Sequence, residues 1–192
     1  MRFDFDSPNV DVKTMVNMYL LQIFTAIFAY EKGINFVTQP DVELYKREMN
    51  LIDPQMLPDN VPVTPTELVA KIRNHLQLKP KTRFLEVICY WHLNNDFKNL
   101  LHKLSKNAFP QLETLVFTGS DWNHHSYQAA SRNEDTLFII LTKSDYEHDI
   151  DGVSELILEN NISTIKKIAY ATHQTLHDRA LIFKVNEVAF TS

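Results

Sequence analysis

His173 and His177 stand four residues apart, with Asp178 beside the second. On a helix that spacing puts two imidazoles on one face, where they can chelate a transition metal. The pair needs a third ligand, for which His148 or Asp149 is the nearest source. No glutamate follows His173 directly, so the helix signature of a zinc hydrolase is missing. His124 and His125 are adjacent and would diverge by about 100° on a helix. His92 follows Trp91 and reads as a histidine at the core edge. The eight histidines therefore make no three-ligand constellation, and the His173–His177 pair reads as exposed helix histidines. Cys89 lies in the apolar run FLEVICYW and reads as a buried, inert thiol. Carboxylates are plentiful, but nothing places a pair of them in a cleft. No catalytic residue, metal site or cofactor of the chain's own is assigned.

Composition narrows the classes further. A single cysteine rules out an internal disulfide and a cysteine-based zinc site. Three glycines leave no room for a glycine-rich phosphate loop. An apolar share of 44% over 192 residues is enough for a core in one elaborated domain or two small ones. The acidic start MRFDFDSPN is not a secretory leader. The most apolar run, Tyr19–Tyr30, is interrupted by Gln22 and Thr25 and falls short of the about 20 residues that span a bilayer. A cytoplasmic protein without a membrane segment is expected.

The elements follow from spacing and punctuation. A first helix is expected from Val10 to about Glu31, apolar almost all round, with Gly33 as its stop. Such a helix is buried on several sides or covers a partner, and Tyr19, Ile23, Phe24 and Ile27 are its candidate interface. A short helix follows at Asp41–Asn50, then a proline-rich connector at Leu51–Val63. Thr64, Pro65 and Glu67 form a capping box that opens a helix to about Leu76. Thr82–Asn94 suits a strand by its β-branched and aromatic content. However, Phe84, Val87, Ile88 and Trp91 recur at helical spacing, and helix is preferred. Asp96 should cap a helix to about Ser105. Leu112–Thr118 reads as a short strand or a last helical turn, and Asp121 starts a helix to about Ser131.

The pattern changes after Glu134. Thr136–Lys143 (TLFIILTK) reads as a strand and Tyr146–Asp151 as its hairpin partner. Ser154–Thr172 (SELILENNISTIKKIAYAT) reads as helix, turn at Asn160–Asn161, and a second helix capped by Ser163. Ile157, Ile162, Ile165 and Ile168 are its expected core. Thr175–Val185 reads as a third helix in preference to a strand. The expected fold is α+β and mainly helical. A helical region at residues 1–132 precedes a winged-helix-like module at 133–192 that carries a β-hairpin.

A winged helix invites a DNA reading, which the charges oppose. Net charge is -5, and Glu134–Glu159 holds eight acidic residues against Lys143. An acidic wing repels phosphates, and Lys166 and Lys167 make a thin basic edge. A hairpin can instead add an extended peptide to its free strand edge. Thr136, Phe138, Ile140 and Thr142 are then the candidate peptide contacts. Asp145, Glu147 and Asp149 would attract a basic peptide.

Arg83, CYWHLNND (Cys89–Asp96) and the hairpin followed by SELILENNISTIKKIA (Ser154–Ala169) resemble the MbnC family of methanobactin-biosynthesis partner proteins. That resemblance implies a heterodimer with the iron enzyme MbnB, a barrel-fold oxidase. The pair would use dioxygen to convert cysteines of a precursor peptide to oxazolone–thioamide units. Iron would belong to the partner, and this chain would bind the precursor's leader and present its cysteines. Alternative readings are a winged-helix DNA regulator, an immunity or anti-defence protein acting by protein binding, or a small metal enzyme using His173 and His177.

Overall fold

The computed structural model describes residues 6–34, 40–53, 61–146 and 150–191. Contacts divide the chain into two units, Met1–Gln39 and Pro40–Ser192. The first is built on α1 (Val10–Glu31). The Asn9 side chain accepts hydrogen bonds from the Asp11 and Val12 amides at 3.0 and 3.2 Å, which caps the helix. Gly33 ends it at φ +63°, a left-handed conformation that glycine adopts without strain.

The second unit is mixed α and β. In chain order it comprises α2 (Pro40–Leu51), α3 (Pro65–Leu78), β1 (Phe84–Cys89), α4 (Asn95–Ala108), β2 (Glu113–Thr118), α5 (Gly119–His125), α6 (Tyr127–Ala130), β3 (Thr136–Lys143), α7 (Glu155–Leu176), β4 (Ala180–Val185) and α8 (Glu187–Thr191). The four strands form one parallel sheet in the order β2-β1-β3-β4. In register, Val87 faces Val116 on one side and Ile139 on the other, and Leu141 faces Phe183.

Strand period sends alternate residues to opposite faces. Val87, Ile139 and Leu141 meet Leu68 and Ile72 of α3, Phe97 and Leu101 of α4, and Phe190 of α8. Ile88, Phe138 and Ile140 meet Val42 and Tyr45 of α2, Trp122 and Tyr127 of α5 and α6, and Ala169 and Leu176 of α7. Asp41 ties α2 to the α6 region, accepting from Gln128 Nε2, Ser131 Oγ and Arg132 Nε at 2.8, 2.9 and 2.9 Å.

Several expectations are met locally. The capping box forms: Thr64 Oγ1 accepts from the Glu67 amide at 3.2 Å, and Glu67 accepts from the Thr64 amide at 2.8 Å. α4 also forms, but Asn94 caps it, accepting from the Phe97 amide at 2.8 Å. Residues Thr82–Asn94 and Thr175–Val185 differ from expectation. Each contains a strand, β1 and β4, in place of a helix. β1 is covered on both faces, so its apolar run carries no alternation to oppose the accidental helical spacing.

The winged-helix order is also replaced. β3 lies between β1 and β4 and runs parallel to both, so the hairpin partner's place is taken. Residues 147–149 of the expected second strand lie outside the described residues. α7 is one continuous helix through Asn160 and Asn161. Asparagine costs a helix well under 1 kcal/mol relative to alanine, too little to break one that packs on a sheet. Within α7, Ile157 is exposed and Ile162, Ile165 and Ile168 are partly buried, while Leu158, Ala169 and Leu176 are buried. The expected boundary at residue 132 falls inside the sheet: β1 and β2 come before it, β3 and β4 after.

Glu86, on β1, accepts a hydrogen bond from the Trp122 indole N–H at 2.7 Å. Burial pushes its carboxyl above the ordinary range, and the Trp122 bond pulls it part of the way back. A raised folded pKa means that the folded chain holds this proton more tightly than the unfolded chain. The resulting stabilisation is full below the unfolded value of about 4.3 and is lost as pH rises through the folded value. Glu86→Gln keeps an acceptor for Trp122 and removes the charge. Its melting temperature should exceed the wild type's at pH 7, and the gap should close near pH 4. A gap that stays constant with pH would count against burial as the cause.

Candidate ligand crevice at the switch point of the sheet

In this strand order the chain leaves β1 for β2 through α4 on one face, and β3 for β4 through α7 on the other. The carboxyl ends of β1 and β3 are therefore where the crossovers diverge. Such a point opens a crevice, because the two following helices start on opposite sides of the sheet. A cavity of about 550 Å³ lies there. Its floor comes from Trp91 and His92 after β1, Lys143 and Tyr146 at and after β3, and Glu187 after β4. Asn94 at the start of α4 and Leu158, Asn161, Ile162 and Ile165 on α7 supply the walls, with Ile150 at the side.

The floor is held by its own bonds. Glu187 accepts from Lys143 Nζ at 3.0 Å and from Asn94 Nδ2 at 2.9 Å, which joins β3, α4 and α8. The Lys143–Glu187 pair is largely shielded, with side chains 15% and 16% exposed. Tyr146 donates from its hydroxyl to the Tyr90 carbonyl at 2.8 Å. Burial pushes that hydroxyl up to about 12, so it stays protonated and is no general base at neutral pH. Lys166 lies over the Tyr146 ring, 5.5 Å from its centre.

Trp91 differs from these groups. It is buried and packs edge-on against Phe97, ring centres 5.8 Å apart. Its indole nitrogen is shielded from solvent and has no hydrogen-bond acceptor among the described residues. A buried N–H without a partner costs about 1–3 kcal/mol, and the residue that carries it lines the cavity.

Another cavity, of about 360 Å³, lies at the opposite end of the strands among Lys79, Arg132, Thr136 and Arg179. Its cations already have partners: Lys79 bonds Asp178, Arg132 bonds Asp41, and Arg179 bonds the Asn133 and Ser131 carbonyls. Two residues lining it, His75 and Thr136, also carry buried polar atoms without a partner among the described residues. The crevice is preferred for its apolar wall and its place at the switch point.

The sequence-derived candidates fall elsewhere. Thr136, Phe138, Ile140 and Thr142 are buried in β3, and both of its edges are paired. They cannot receive an added strand. Asp145 lies just past β3, while Glu147 and Asp149 lie outside the described residues. Tyr19, Ile23, Phe24 and Ile27 are all exposed on α1. His173 and His177 do not share a helical face, because α7 ends at Leu176 and His177 adopts φ +53°. Burial holds His173 below the ordinary imidazole range. Among the described residues no cluster of three metal-ligating side chains occurs. Cys89 is fully buried, and burial pushes its thiol far up, away from nucleophilic use.

The chain matches no family model, no curated protein and no solved structure. Fold and site define it as a mixed α and β protein with a parallel sheet and a cavity at the sheet's switch point.

Proposed function

We propose that the protein binds a small, partly apolar ligand with a hydrogen-bond acceptor in the crevice at the ends of β1 and β3. One observation carries the reading: Trp91, which lines the cavity, has a buried indole N–H without an acceptor among the described residues. A carbonyl or carboxylate oxygen meets that need. Ile162, Ile165 and Leu158 suit an aromatic or aliphatic body, and about 550 Å³ is the size of a small-molecule site. The reading assigns binding and no chemical step.

The two tryptophans allow a direct test. Trp122 donates to Glu86 and Trp91 has no acceptor among the described residues, so their indole N–H resonances report separately. Aromatic carboxylates and ketones titrated into the isotope-labelled protein should shift the Trp91 resonance and leave that of Trp122 in place. Trp91→Phe should weaken a binder about tenfold, the equivalent of one hydrogen bond of about 1.4 kcal/mol. Compounds that move only Trp122, or a set that moves neither, would sink the reading.

A second reading keeps the chain as the leader-binding partner of an MbnB-like iron oxidase. Since β3 is internal, its supporting feature is the edge strand β2, where Leu115 is exposed and Thr114 Oγ1 is buried without a partner among the described residues. His102, Lys103 and Lys106 flank Thr114, so the added peptide would be acidic. In a titration with an acidic and a basic peptide of equal length, the acidic one should bind and the basic one should not.

A further inference from the structure

We infer that α1 is a membrane-spanning anchor, with a lipid bilayer as the surface that covers it. The helix runs 22 residues from Val10 to Glu31 and is long and apolar enough to cross a membrane. At 1.5 Å per residue it measures about 33 Å, against a hydrocarbon thickness of about 30 Å. Seventeen residues in a row, Thr14–Tyr30, carry no charge. Asp11 and Lys13 precede them, and Glu31 and Lys32 follow.

The distribution around the helix selects lipid over protein. At about 100° per residue, Met15, Tyr19 and Ile23 point to one side, and Leu21 and Phe28 to the other. All five are exposed. A second copy or a protein groove covers a stripe of about a third of the circumference, which leaves the far side in water. An interfacial helix needs a strongly polar face, which this one lacks. A bilayer covers every side at once. The threonine hydroxyls are already satisfied within the helix, as membrane burial demands. Thr14 Oγ1 donates to the Val10 carbonyl at 2.9 Å and Thr25 Oγ1 to the Leu21 carbonyl at 2.8 Å. Tyr30, at the last turn, suits the headgroup layer. Asn17 and Gln22 remain as polar amide side chains within the span. The expectation of a span too short to cross came from counting only Tyr19–Tyr30; the helix extends nine residues further towards the N-terminus.

The test uses the full chain and vesicles of phosphatidylcholine, whose neutral headgroups remove charge attraction as a cause. Wild type should float with the vesicles after an alkaline carbonate wash. Leu21→Lys with Ile23→Lys puts charges on both sides of the helix and should lower the floated fraction more than tenfold. Leu21→Ile with Ile23→Leu keeps both sides apolar and should float like wild type. Wild type left in the aqueous fraction, as a monomer or as an oligomer held through α1, overturns the inference. So does flotation that the lysines leave unchanged, or a membrane-bound chain that has lost α1 by cleavage.

Discussion

Phe138→Ala should cost about 3–5 kcal/mol, a large part of the about 5–15 kcal/mol that holds a domain folded. Phe138 is fully buried on β3. Its ring meets Trp122 at 5.7 Å between centres, and the Arg179 guanidinium lies over it at 5.8 Å. Truncation removes the ring from the middle of one face of the sheet, where β3 is fixed on both edges and cannot close over the gap. The cost is therefore transfer plus cavity. Urea melts at constant pH measure it as a shift in midpoint with little change in slope. The same substitution separates two pictures of β3. If the strand were a peptide-reading edge, Phe138→Ala would spare stability and weaken peptide binding. A loss below about 1 kcal/mol would count against β3 as an internal strand.

Legibility followed the range of the forces involved. The capping box at Thr64 and Glu67 is a contact across three residues, so the start of α3 could be read directly. α1 was readable because its apolar girth and its glycine stop lie within one segment. β3 was readable as a strand, but its neighbours were not. Pairing with β1 and β4 links residues about 50 and 40 positions away, and no local pattern reports that. β1 was misread because a strand covered on both faces is apolar at every position but one, Glu86, and so satisfies helical spacing by accident. From there the error spread. A β1 read as helix leaves no parallel sheet, hence no switch point, and Trp91 looks like one more core aromatic. The crevice has no motif: Trp91, Tyr146 and Glu187 meet only because three strands end side by side. The rule that ligands sit beyond carboxyl strand ends would have pointed to Trp91, given β1 as a strand.

Gly119→Ala should destabilise the protein by about 1–3 kcal/mol, although it adds a single methyl group. A Cβ built on Gly119 would stand 2.5–2.7 Å from atoms of the Tyr90 ring. Tyr90 has little freedom to withdraw. It is buried, and its hydroxyl donates to Asn123 Oδ1 at 2.6 Å. Asn123 Nδ2 donates in turn to Thr172 Oγ1 at 2.9 Å, and Thr172 donates to the Ile168 carbonyl of α7 at 2.8 Å. Moving the ring would strain a buried chain of hydrogen bonds that links the residue after β1 to α5 and α7, and a broken one leaves an unsatisfied polar group at about 1–3 kcal/mol. The cause can be isolated by a double-mutant cycle. Tyr90→Ala removes the ring and should by itself cost about 3–5 kcal/mol. In that background Gly119→Ala meets no ring and should cost less than about 0.5 kcal/mol, so the two losses fall well short of their sum. Additive losses would mean that glycine is needed at position 119 for its backbone and not for its contact with Tyr90. Because Tyr90 directly precedes Trp91 and its carbonyl anchors Tyr146, the same variant should also disturb the Trp91 indole resonance, carrying the clash to the floor of the crevice.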